Sequence, residues 1–290
     1  MTNLATNSTA YRRAIETAFP SLNIISERLY PHHESQFNDV LVVNEAMIFR
    51  FPRLAANAKL IKKEVAVLKV IRQYVSLPVP KPLYCQLDKE PMFMGYPMLP
   101  GKSLRQSIVD SVDDDVRQAF ARQLAKFASE LHSIPVETPG LQLSFAHNVS
   151  YWQRMYRAFR DELFPHMRLE ACQQVILNFE TFLDKPLRFN PVVCHGDLGP
   201  GNILYDPNDL TISGIIDFGS SAFGDPAFDI ASIGCCGEAF MKHFRRYYPN
   251  IQSLETRARF YKSTFALQQA LWAIRSGDKE AFDDGISAYV

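Results

Sequence analysis

Two short stretches near the middle of the chain carry side chains whose types and spacing could do chemistry together. The first is Pro191-Val192-Val193-Cys194-His195-Gly196-Asp197-Leu198-Gly199-Pro200-Gly201-Asn202-Ile203-Leu204, a His-x-Asp-x-x-x-x-Asn pattern between two apolar runs. The second is Ile215-Ile216-Asp217-Phe218-Gly219, an apolar run that delivers an acid into a glycine turn. Phosphoryl transfer asks a protein for a carboxylate beside the acceptor hydroxyl and for oxygen ligands that hold a divalent cation against the phosphates. Its catalytic contribution is mainly positioning and charge stabilisation. Asp197 suits the first task, while Asn202 and Asp217 suit the second, Mg²⁺ preferring such hard oxygens. His195 fits a hydrogen-bonding brace of the loop better than a titrating group. Between the two ligands lie a strand over 203–205, an Asp206-Pro207-Asn208-Asp209 turn and a return strand over 211–216, so one hairpin carries both to one edge.

HGDLGPGNILYD, followed by ISGIIDFGSSAFGDPAFDIA, resembles the signature of the aminoglycoside phosphotransferase family. These are small-molecule kinases, related to choline and macrolide kinases, with a fold similar to that of protein kinases. The resemblance implies that Asp197 is the catalytic base, that Asn202 and Asp217 bind Mg²⁺, and that Asp225 and Asp229 join His195 in supporting the catalytic loop. It also implies a bilobal α+β fold: an N-lobe with a mostly antiparallel sheet and one key helix over 1–96, a hinge over 97–101 and a helical C-lobe over 102–290.

The composition is that of an ordinary globular protein, with 47% hydrophobic and 21% charged residues. Lys+Arg and Asp+Glu both number 31, so no global basic field recruits nucleic acid. Cys85, Cys172, Cys194, Cys235 and Cys236 are odd in number and lack C-x-x-C spacing, which argues against a disulfide or metal framework and for a reducing cytoplasm. The first ten residues lack the apolar stretch of a leader, and no apolar run approaches the ~20 residues a bilayer requires. We therefore expect a cytoplasmic protein, off the membrane, with no obligatory protein partner.

The elements that must position the chemistry follow in order. Residues 11–19 pattern as an amphipathic helix; 22–25, 39–43 and 46–51 as strands; 56–74 as a helix with apolar positions Leu60, Ile61, Val65, Leu68 and Ile71. The connection over 26–38 would fold over the phosphates in a kinase-like lobe, yet it has no glycine. It could bind phosphate through the Ser35 hydroxyl or backbone amides, or stay open. His32 and His33 are adjacent on an extended segment and point apart, which disfavours a metal site. Alternation in Phe49-Arg50-Phe51 places both rings on one face and Arg50 on the other, toward the cleft. Arg50 stands where the resemblance leads one to expect Lys, and it can still clamp phosphate. Glu64, fourteen residues on, is either a solvated partner of Lys63 or Lys69 or the partner of Arg50.

Strands are expected over 83–86 and 92–96, followed by Pro97-Met98-Leu99-Pro100-Gly101. By position in the family the Pro97 carbonyl and Leu99 amide would meet the base, with Tyr96 and Met98 lining the pocket; a rigid linker is the alternative. Ser111 and the acids after it open a long helix ending near His132. Further helices are expected over 149–163, 170–183, 230–240, 241–248, 254–275 and 278–289.

The acceptor would lie among the last of these. Carboxylates that could meet a polycation are Asp161, Glu162, Glu238, Asp278, Glu280, Asp283 and Asp284, with Trp272 as a wall, although the stretch after Asp229 is poor in acid. The expected reaction is Mg²⁺-dependent transfer of the γ-phosphoryl group of ATP or GTP to a hydroxyl of a small molecule, an aminoglycoside first. A macrolide, a choline-like alcohol or another metabolite is the alternative, and a non-catalytic nucleotide-binding module is the rival outside enzymes. A protein kinase is disfavoured, because no Ala-Pro-Glu segment follows Asp217-Phe218-Gly219 and Gly196, not Arg, precedes Asp197.

Overall fold

The alternation in Phe49-Arg50-Phe51 fixes how the N-terminal lobe is layered. In the computed structural model, which describes residues 4–30, 38–54 and 57–290 and only the backbone of residues 4–7, β3 (Met47–Pro52) lies inside a five-stranded antiparallel sheet. The sheet order is β1 (Glu27–Leu29), β2 (Asn38–Val43), β3, β5 (Phe93–Pro97), β4 (Tyr84–Gln86). Phe49 and Phe51 turn outward with Leu41, Val43 and Phe93 into a small core closed by α1 (Leu4–Ala18), where Tyr11 stacks on Phe51 at 4.0 Å. Arg50 turns the other way, toward α2 (Ala58–Ile71) and the C-terminal lobe. Residues 22–25 form no strand, contrary to expectation. Asn44 accepts from the amides of Ile25 and Ser26, Arg12 holds the Ile24 carbonyl, and Ile25 is exposed, so these backbone groups are satisfied outside the sheet.

Helix α2 buries Ile61, Val65, Leu68 and Ile71 as its periodicity demands, but Leu60 falls off the stripe onto the exposed side. Glu64, on the inner face, is buried. After β5 the chain passes through β6 (Lys102–Ser103) and α3 (Gln106–Ser111) to α4 (Asp114–His132). The cap of α4 is Asp113, whose carboxylate accepts from the Val116 amide at 2.8 Å; Ser111 instead ends α3, because Val112 between them is extended.

Helices α5 (Val149–Ala158) and α6 (Leu169–Leu183) are joined through a π-helical turn at Phe159–Leu163, which shortens the expected helix over 149–163. Then come β7 (Val192–Cys194), the hairpin β8 (Ile203–Asp206) and β9 (Thr211–Ile215), and β10 (Ala222–Gly224), antiparallel to β7. The remaining helices are α7 (Pro226–Ile233), α8 (Glu238–Tyr247), α9 (Glu255–Ser263), α10 (Phe265–Ser276) and α11 (Lys279–Ile286). Two expected helices are broken. Gly237, at φ 94°, turns the chain between α7 and α8. Thr264 separates α9 from α10, its hydroxyl donating to the Tyr261 carbonyl at 2.6 Å. The larger core runs from α2 through α4 to α9 and α10 and holds Trp152, Phe179, Phe260 and Tyr261.

Candidate active site

Strand β7 ends at Cys194 and delivers His195-Gly196-Asp197 into the cleft between the lobes. The turn at Gly196 has φ 82°, and a Cβ there would lie 2.3 Å from the Ser220 carbonyl oxygen, so the loop closes only with glycine. His195 is fully buried; its Nδ1 accepts from the Asp197 amide at 3.2 Å and its Nε2 faces the Ile216 carbonyl at 3.0 Å. These partners select the tautomer protonated at Nε2, whose proton goes to Ile216. The ring braces the loop that carries Asp197 against the segment that carries Asp217.

Asp229, at the buried face of α7, gathers the loop from behind. Its carboxylate accepts from the amides of His195 at 2.8 Å and Gly196 at 2.9 Å, and from His132 Nε2 at 3.0 Å. Burial pushes its carboxyl up, but the His132 hydrogen bond and these amides win, and the net shift is downward. The Tyr248 hydroxyl donates to His132 Nδ1 at 2.7 Å, extending the chain of bonds to the end of α8. Asp225 acts one step further away. It caps α7 through the Ala227 amide, and Arg257 and Tyr261 of α9 donate to it at 2.6 and 2.8 Å. Its carboxylate locks α9 to α7, one step removed from the loop that carries Asp197.

Asn202 follows a Pro-Gly turn and donates to Asp197 twice, to the carboxylate at 2.8 Å and to the backbone carbonyl at 2.9 Å. Its backbone carbonyl accepts from the Ile216 amide, so the hairpin couples Asn202 to the approach of Asp217. Asp217 has the left-handed conformation, φ 65° and ψ 68°, which swings its carboxylate back into the cleft. Arg50 donates to Glu64 at 2.7 Å and to Asp217 at 3.0 Å, joining β3, α2 and the glycine turn in one charged triad. Glu64 also accepts from the Phe218 amide at 3.2 Å.

Burial raises Glu64 to about 7 against the pull of Arg50. The guanidinium keeps its proton and stays charged. For Asp217, burial again raises the carboxyl, but Arg50 outweighs it and the net shift is downward. Asp197 is reached by solvent on one side and walled by protein on the other. It is raised, by desolvation foremost and also by Asp217, with the Asn202 hydrogen bond opposing. Two acids in one cleft are thus driven apart, one toward a basic group and one toward a permanently charged one.

The donor set fits Mg²⁺: the Asp217 carboxylate and the amide oxygen of Asn202, whose nitrogen is committed to Asp197, are hard oxygens on one edge. Tyr96 is buried beside Arg50, behind the triad, whereas Pro97 and Met98 are exposed at the lobe junction. The Met98 amide donates to the Ala46 carbonyl, continuing the sheet; Leu99 is half-buried against Gly214. Ser35, His32 and His33 lie outside the described residues. A cavity of about 510 Å³ opens beside Asp197 and Asn202, with Phe228, Ser232, Cys235, Phe265 and Gln268 as its far wall. Sequence reasoning missed these wall residues. Their signal was helical: Phe228, Ser232 and Cys235 repeat at near one-turn spacing directly around Asp229. Asp161, Glu162, Glu238 and Trp272 do not line this cavity. Glu162 pairs with Arg275, Glu238 pairs with Arg245, and Asp161 is exposed.

The chain was compared with known proteins. Residues 31–262 match the family described as the phosphotransferase enzyme family. The chain belongs to that family. A viomycin phosphotransferase of Streptomyces vinaceus is 30% identical over 266 residues, covering 89% of this chain and 91% of that protein. Among solved structures, the GDP and kanamycin complex of APH(2")-IIia superposes with a TM-score of 0.88 at 27% identity, covering 96% of each chain. A macrolide 2'-phosphotransferase type I, at 19% identity and a TM-score of 0.76 over 100% of this chain and 99% of that one, shares the fold. The phosphotransferase family therefore has both the α+β architecture and the small-molecule kinase chemistry expected from the two central stretches. No helix among the described residues is long and apolar enough to cross a membrane.

Proposed function

We propose that the chain transfers the γ-phosphoryl group of ATP or GTP to a hydroxyl of an antibiotic-like small molecule, and that residues 1–96 and 102–290 act as the two lobes of that kinase. The observation that carries the reading is the convergence of Asp197, Asn202, Asp217 and Arg50 on one cleft beside an open cavity. Asp197 orients the acceptor hydroxyl and takes its proton. Asn202 and Asp217 would hold Mg²⁺, which supplies charge neutralisation at the phosphates when bound. Arg50, oriented by Glu64, faces the same phosphates. Tyr96, Pro97, Met98 and Leu99 flank the base, with the Pro97 carbonyl and the Leu99 amide as the main-chain groups offered to it. Attack is direct and in line, since the reaction requires no nucleophilic side chain; on the cavity wall the Ser232 hydroxyl donates to the Phe228 carbonyl and burial raises the Cys235 thiol.

Aminoglycosides are the first acceptors to test, because a relative of this fold binds kanamycin with GDP and is similar over nearly its whole length. The acid-poor cavity wall favours a second reading, another hydroxylated molecule such as a macrolide. Acceptor-stimulated nucleotide consumption, measured with ATP and GTP separately and with Mg²⁺, tests both. Asp197→Ala is expected to lower kcat by at least about 10²-fold, the scale of losing a positioned base, while sparing nucleotide binding. Unchanged turnover in that variant would remove Asp197 from its role.

A further inference from the structure

Four of the carboxylates that could have met a polycation are engaged by the protein itself. Glu162 is held by Arg275 at 2.9 Å, and Glu238 by Arg245, which also donates to Glu255. Asp278 caps α11 through the Ala281 amide, and Asp284 accepts from Gln269 at 2.8 Å. None of them lines the cavity beside Asp197, where, among the described residues, the one lining carboxylate is Asp197. Opposite it stand two rings and three neutral polar groups. Phe228 and Phe265 meet edge to face at 5.4 Å, and Phe228 is backed by His147, stacked at 3.9 Å. The Ser232 hydroxyl is spent on the Phe228 carbonyl, while Gln268 donates to Thr264 and accepts from Tyr151. Behind Cys235, the Lys262 ammonium is bound to the Gly234 carbonyl at 2.7 Å, which adds a positive charge on that side.

A polycation would enter this cavity facing one carboxylate, with an ammonium behind the wall at Cys235 and its remaining charges against aromatic carbon and satisfied amides. Charges without partners are costly to desolvate. Nor does a net charge of zero over the whole chain draw cations in from a distance. From this wall we infer that the acceptor is a weakly charged molecule, with at most one cationic group near its reacting hydroxyl and an apolar face laid on Phe228 and Phe265. The inference rests on the phosphotransferase reading above and narrows it to a substrate class. One cation is accommodated by Asp197; the rings hold carbon, and Gln268 fixes an edge by exchanging a hydrogen bond.

The test is kcat/KM on the full chain with Mg²⁺ and nucleotide, for a macrolide carrying one amine and for kanamycin and gentamicin, which carry several. We expect the macrolide to be preferred by about tenfold or more. Its kcat/KM should change less than about twofold between 0.05 and 0.5 M salt, because a single local charge pair leaves little to screen. Gln268→Glu, nearly isosteric and on the half-buried face of α10, adds a carboxylate to the wall. It should improve kcat/KM for the polycations about fivefold or more at low salt and lose that gain at high salt. Phe265→Ala should raise KM for the macrolide with little change in kcat. Preference for the polycations by the native protein, with steep salt dependence and no response to Gln268→Glu, would overturn the inference and leave the phosphotransferase reading standing. Failure of every acceptor to stimulate turnover, with nucleotide binding intact, would overturn both.

Discussion

Arg50 makes two ion pairs at once, and they differ in kind. The pair with Glu64 is buried on both sides, while Asp217 keeps about half its side chain open. Removing one partner of a buried pair strands a charge and costs about 3–5 kcal/mol. Glu64→Ala leaves Arg50 paired with the half-open Asp217 alone, so a loss toward the low end of that range, about 3 kcal/mol, is expected, read as a shift in urea midpoint at unchanged slope. Arg50→Lys keeps the charge but loses the fork that spans both acids, so we expect a raised nucleotide KM with a smaller stability loss. His147 gives a pH prediction. Burial lowers it from 6.5 to about 4, with Asp229 and Asp225 opposing. Between those values the unfolded chain binds a proton that the folded one refuses, so stability rises with pH through that window. The contribution, up to about 3 kcal/mol, is complete above pH 6.5 and lost as pH falls toward 4. His147→Asn, which tolerates the same left-handed backbone, should flatten that part of the profile in denaturation at several pH values. Asp197, Asn202 and Asp217 were legible because they sit in one stretch with fixed spacing. The contact between Arg50 and Asp217 spans 167 residues and was not, since no local pattern reports it.

Strands whose two faces have different fates were also legible. Alternation in β3 correctly sent Arg50 one way and two rings the other, and the paired apolar runs around Asp206 gave the β8–β9 hairpin. Helix ends were less so. The break at Gly237 rests on a positive φ that glycine permits, and the break at Thr264 on a side-chain bond to the Tyr261 carbonyl that an apolar period does not report. The resemblance pointed to Asp229 behind the loop, but the extension of that junction through His132 to Tyr248 at the end of α8 was invisible, since these residues are far apart in sequence and joined only by packing. Tyr248→Phe tests whether that junction positions the catalytic loop. Losing its hydroxyl leaves His132 Nδ1 without a donor and frees the ring to choose the other tautomer, weakening the bond to Asp229. We expect kcat to fall several-fold with nucleotide KM unchanged. A loss of stability alone, with kcat preserved, would make the bond a packing feature.

At the scale of the molecule, the lobes are tied by α2 as well as by the covalent linker. Lys63 donates to the Ser221 carbonyl, Glu64 accepts from the Phe218 amide, and Arg50 reaches Asp217 across the cleft. The last of these contacts involves the same carboxylate that would hold the metal. A cation arriving alone must compete with a guanidinium already bound there, whereas a cation arriving with phosphates offers Arg50 new acceptors in exchange. Nucleotide and metal should therefore stabilise the protein together far more than either does singly. At a ligand concentration a hundred times Kd, binding adds about 2.7 kcal/mol. For a chain of 290 residues this corresponds to a rise in Tm of about 4 °C. Thermal unfolding with Mg²⁺ alone, nucleotide alone and both is expected to show the full rise only with both, and EDTA should remove it. Asp217→Asn keeps the side-chain shape but discards the charge that both Arg50 and the metal use. In that variant the excess produced by adding Mg²⁺ to nucleotide should vanish. An undiminished excess would move the metal site away from Asp217, and a full rise with Mg²⁺ alone would show that Arg50 does not contest it.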